Sequence, residues 1–166
     1  MNALWSYFWP AFAAGVLLGG IDGLLVFRRK QRRALTLMIG LALAIAAVGL
    51  WHGPLGAADR LASRVERDAR ATLVHWEVPQ MRAHLHRSPL TRRLLLSGPA
   101  DDFQRTELVR TMETLPGVRE ASWSSDGGGL PVVAEGLGVA FLGFLVGVLL
   151  AYLVELRRRY NSQWNW

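Results

Sequence analysis

Three stretches of the chain, residues 8–27, 34–51 and 131–154, are almost wholly apolar over lengths close to what a bilayer demands. A helix needs roughly 20 apolar residues, each rising about 1.5 Å, to cross a hydrocarbon core. The polar residues crowd between these stretches. Average values conceal the pattern, since 51% hydrophobic content and a mean hydropathy of +0.20 are ordinary. The expected fold class is therefore a helical membrane protein with three transmembrane helices and one small α+β domain between the second and third. The expected segments are an outer N-terminus (1–7), helix one (8–27), a basic loop (28–33), helix two (34–51), the extramembrane domain (52–124), a Gly-rich linker (125–130), helix three (131–154) and a tail (155–166).

The net charge of +6 would fit a nucleic-acid binder if it were concentrated on the polar domain, but residues 52–130 carry eleven Arg against ten Asp plus Glu. The excess sits in two short clusters, Arg28, Arg29, Lys30, Arg32 and Arg33, and Arg157, Arg158 and Arg159, offset by Asp22, Glu135 and Glu155. Basic residues flanking apolar spans orient them by the positive-inside bias and meet lipid headgroups. Both clusters are expected in the cytoplasm, with the N-terminus and residues 52–130 outside. Nucleic acid is not an expected partner. The first span is not expected to be a cleaved signal, because its charges follow the apolar run. Trp5, Trp9, Trp51, Trp164 and Trp166, with Tyr7 and Tyr160, fall at or beyond the expected span ends, where amphipathic rings favour the headgroup layer.

Gly15, Gly19 and Gly23 recur every four residues in the first span, and Gly136, Gly143 and Gly147 partly repeat the pattern in the third. Such stripes let backbones approach closely where lipid offers little drive for helix association. They would serve packing among these three helices or against a foreign helix. Asp22 is the acidic residue well inside a span, a functional candidate because burying a carboxylate is costly. Pairing with Arg28 or Arg29 is the simplest expectation. Glu135 and Glu155 lie at span ends and are expected to reach water.

In the domain, Ala58, Leu61, Ala62, Val65, Ala69 and Leu73 follow a helical period, with Arg64/Asp68 and Glu66/Arg70 spaced i, i+4. Met81, Ala83 and Leu85 alternate with polar residues, and an apolar run from Arg92 to Ser97 follows the turn-like Ser88-Pro89-Leu90, which predicts a hairpin. Asp101 with Gln104 forms a capping pattern opening a helix marked by Phe103, Leu108, Val109, Met112 and Leu115. Pro116-Gly117 stops it, and residues 118–123 read as a third strand. The order is α-β-β-α-β.

The run Leu94-Leu95-Leu96-Ser97-Gly98, a helix, and Leu115-Pro116-Gly117-Val118 resemble the BON domain over roughly residues 58–124. The resemblance implies a periplasmic or membrane-proximal module of bacterial envelope proteins, associated with lipid, cell wall or protein contacts and without an active site. Gly98 and Gly117 would be its turn glycines. It also implies a bacterial inner-membrane location.

Other chemistry is weakly signalled. The chain has no cysteine, which excludes disulfides and thiolate sites. His84 and His86 would share a strand face and could join His75 or His52 at a metal, but no acidic partner stands at a convincing spacing. No Gly-x-Ser-x-Gly elbow is present. Gly127-Gly128-Gly129 lacks the Lys-Ser/Thr of a phosphate loop and reads as a linker. The arginines at 60, 64, 67 and 70 are interleaved with Asp59, Glu66 and Asp68, which suits a self-paired solvated face or a headgroup contact. No metal or cofactor is expected. The leading expectation is a non-catalytic accessory or scaffold subunit of a bacterial inner-membrane complex, with lipids and helices of other subunits as partners. The alternative is a free-standing envelope protein binding phospholipid or cell wall through its BON-like domain, and a periplasmic protein is a further candidate partner.

Overall fold

The computed structural model describes residues 3–28, 33–124 and 129–162. Its elements are α1 (Ala3–Arg28), α2 (Arg33–His52), α3 (Ala57–His75), β1 (Arg82–Arg87), β2 (Leu90–Ser97), α4 (Asp102–Glu113), β3 (Glu120–Ser122) and α5 (Val132–Ser162). Three of them, α1, α2 and α5, are long and apolar enough to cross a membrane. The chain divides into two compact units, one from the described residues of 1–7 and 56–135, the other from those of 8–55 and 136–166. The first turn of α1 and the first residues of α5 therefore belong to the α+β unit.

That unit is organised by a mixed sheet in the order β1-β2-β3, with β1 antiparallel and β3 parallel to β2. Register places Leu85 opposite Leu94 and Leu94 opposite Ala121, so one buried apolar row crosses all three strands. Helix α3 turns Leu61, Ala62, Val65, Ala69 and Leu73 inward at helical spacing, all nearly inaccessible. Helix α4 opens on the expected capping box: the Gln104 N–H donates to Asp101 Oδ1 at 2.7 Å, and the Gln104 side chain accepts from the Asp101 N–H. These reciprocal bonds satisfy two of the N–H groups that a helix start leaves without intrahelical partners. Gly98 and Gly117 have positive φ, +135° and +108°, where an L side chain is strained.

Several local expectations change. Strand β3 is three residues long, not six, because Val118 still closes the preceding turn through a hydrogen bond to the Leu115 carbonyl. Phe103 lies exposed in the first turn of α4, whose inward face starts only at Leu108. Glu66 does not serve its own helix: it accepts from the Leu85 N–H and from Arg87 Nη2 at 2.9 Å, joining α3 to β1. Arg64 donates to Ser6 Oγ at 3.0 Å, tying α3 to the first turn of α1.

The apolar helices outrun their hydropathy windows. Helix α1 starts at Ala3, with Tyr7 buried in the α+β unit and Ser6 Oγ bonded back to the Ala3 carbonyl. Helix α5 continues through Arg157, Arg158 and Arg159 to Ser162, since charge ends an apolar window without ending a helix. An i, i+4 pair between Glu155 and Arg159 at 3.2 Å runs along that extension.

Candidate functional site

In the helical unit, α1 and α5 meet backbone to backbone. A methyl group added at Gly15 would strike the Ala140 carbonyl, one at Gly19 the Phe144 carbonyl, and one at Gly23 would come within 2.6 Å of the Ala151 methyl. From the other side, Gly143 faces the Phe12 carbonyl and Gly147 the Val16 carbonyl. All five glycines thus form one surface between two helices of this chain. Gly136 is buried in the first turns of α5.

Helix α2 brings Gly40, Ala44 and Val48 inward, and Val48 clusters with Ala11 and Ala140. Gly40 supplies the notch that admits the Asp22 carboxylate, which occupies the space a Cβ there would need. Asp22 is 8% exposed, and its Oδ2 has no hydrogen-bond partner among the described residues. No ion pair reaches it there either, so the expected pairing with Arg28 is absent. Arg29, Lys30 and Arg32 lie outside the described residues, as do Gly127, Gly128, Trp164 and Trp166.

The outward face of α2 is different. Leu35, Met38, Ile39, Leu43, Ile45 and Leu50 are exposed, and Ala42, Ala46 and Gly49 form a second small-residue stripe among them. A Cβ at Gly49 would meet nothing within 4 Å. This stripe is hard to pick out from the sequence because it shares a helix with the inward set Gly40, Ala44 and Val48.

In the α+β unit, an arginine cluster stands where β2, β3 and the entry to α5 converge. Arg92 donates from Nε to the Gly117 carbonyl at 3.2 Å and from Nη1 to Glu135 Oε2 at 3.3 Å. Arg119 approaches the other oxygen of Glu135 at 3.8 Å. Glu135 does not reach for water; it is mostly buried between two guanidiniums. Neighbouring strands set Arg93 beside Glu120 in register. Arg93 is 7% exposed, and its Nη2 donates to Ser122 Oγ at 3.0 Å and to the Ser124 carbonyl at 3.4 Å. Its Nε has no hydrogen-bond partner among the described residues, with Glu120 Oε1 standing off at 3.6 Å. Thr91, on the same sheet face as Arg93, is buried and bridges to Pro131. The segment leading into α5 therefore covers a sheet face that alternation alone would leave solvated.

No group of three metal-ligating side chains occurs among the described residues. His86 Nδ1 lies 3.1 Å from the Pro89 carbonyl, a contact that closes the hairpin end. Trp123 donates to the Arg105 carbonyl at 3.1 Å beneath the Arg105 guanidinium, fastening β3 to α4. Neither a protein-family description nor a curated protein nor a solved structure matches the chain.

Proposed function

We propose that the chain is a non-catalytic accessory or scaffold subunit of a larger bacterial inner-membrane complex, crossing the membrane three times with its α+β unit, a BON-like module, on the periplasmic side. The observation that carries this reading is the outward face of α2. Gly15, Gly19 and Gly23 of α1 and Gly143 and Gly147 of α5 are consumed by the facing helix, so they serve as the internal seam of an anchor. Ala42, Ala46 and Gly49 instead leave a small-residue groove open, flanked by the exposed side chains of Met38, Ile39 and Leu43, of the kind on which a further helix packs closely in lipid. The α-β-β-α-β order and the positive-φ glycines at 98 and 117 support the BON-like reading of the outer unit. The two basic clusters beside the apolar helices support the orientation.

The test is purification of the tagged full chain in mild detergent, followed by native mass spectrometry. A stoichiometric partner is expected, lost in Ala46→Leu or Gly49→Leu while the variant itself stays folded. A lone monomer or homo-oligomer carrying only lipid overturns the subunit reading and favours the free-standing envelope protein.

A further inference from the structure

Among the described residues, the arginine cluster has more guanidiniums than carboxylates. Arg92, Arg93 and Arg119 face two carboxylates, Glu120 and Glu135, and Glu135 is already shared between Arg92 and Arg119. Arg93 is left with a half-exposed acid at 3.6 Å and an Nε proton that none of these groups accepts. A guanidinium more than nine-tenths buried with an unused donor is costly, and an oxyanion is the group that completes it, since the guanidinium fork matches phosphate geometry. Room exists: an open cleft of about 260 Å³ is lined by Arg92, Arg93, Arg119, Glu120, Gly129 and Leu130. Leu130 sets an exposed apolar side chain on the same rim, two residues before α5 begins.

We propose that this cleft is a phosphate-binding site, with Arg93 as the buried anchor and Arg92 and Arg119 as its flanking cations. The phosphate is a terminal one, carried as a phosphomonoester on a lipid headgroup or free in solution, and the two sources share the same contacts. The site does not depend on the subunit reading, because a helix partner on α2 and a phosphate at β2 are scored by different measurements.

The test uses the full chain and two probes: inorganic phosphate titrated calorimetrically in neutral detergent, and phosphatidylcholine nanodiscs with and without phosphatidic acid, read by native mass spectrometry of retained lipid. Binding of at least one probe above the phosphatidylcholine baseline is expected. Arg93→Gln should weaken it by about tenfold, the effect of losing one charge-assisted hydrogen bond. Glu120→Gln should strengthen it, by removing the carboxylate that competes for Arg93, and Arg119→Glu should weaken it by setting a carboxylate where a flanking cation stands, while Arg92 still pairs with Glu135. Affinity for inorganic phosphate equal to that for phosphatidic acid identifies a free phosphate as the source; retention of phosphatidic acid alone identifies the headgroup. No binding of either probe above baseline, or affinities unchanged in both Glu120→Gln and Arg119→Glu, overturns the proposal.

Discussion

Gly117 is held in place by two independent constraints. Its φ of +108° strains any L side chain, and a Cβ there would come within 2.6 Å of Val65 Cγ2 in the core of α3. Gly117→Ala is therefore expected to destabilise the α+β unit by about 1–3 kcal/mol, measured as a lowered denaturation midpoint of the purified chain. Asp22 and Gly40 give the opposite kind of residue-level test. The Asp22 carboxylate fills the notch at Gly40 but leaves Oδ2 unsatisfied among the described residues. Asp22→Asn keeps the shape and removes the cost of burying a charge, so thermal stability in detergent should hold or rise. Gly40→Leu fills the notch and should lower it.

Among the elements, the contrast between closed and open glycines is the sharpest test of the helical unit. Gly19→Leu drives a side chain into the Phe144 backbone of α5 and should cost at least about 1–3 kcal/mol, the usual range for overpacking. Gly49→Leu meets open space and should leave the melting midpoint of the isolated chain unchanged. In the α+β unit, Asp101→Ala removes the side chain that accepts from the Gln104 N–H and should cost α4 about 1 kcal/mol, seen as faster amide exchange in its first turn. That element was legible in advance because a capping box is written within four consecutive residues. The exposure of Phe103 was not, because an apolar residue in the first turn of a short helix reports its type and not the direction of the neighbouring sheet.

At the scale of the whole molecule, the absence of cysteine makes the proposed orientation directly measurable. Glu77→Cys in intact cells with a permeable outer envelope should react with a membrane-impermeant maleimide, and Arg158→Cys should react only after the inner membrane is opened. What the chain's sequence determined by itself is whatever depends on near neighbours: three long apolar helices, the inward stripe of α3, the hairpin around Ser88-Pro89 and the Asp101 cap. Periodicity, caps and turns are short-range, so they survive without knowledge of the fold. Tertiary structure alone decided which partner each group meets: that Gly15, Gly19 and Gly23 close on α5, that Glu66 crosses to Arg87, that Glu135 lies between Arg92 and Arg119, and that Arg93 is buried. A strand's second face is wet or dry according to what chain returns over it, and here the segment at Pro131 returns from forty residues beyond Thr91 to cover it.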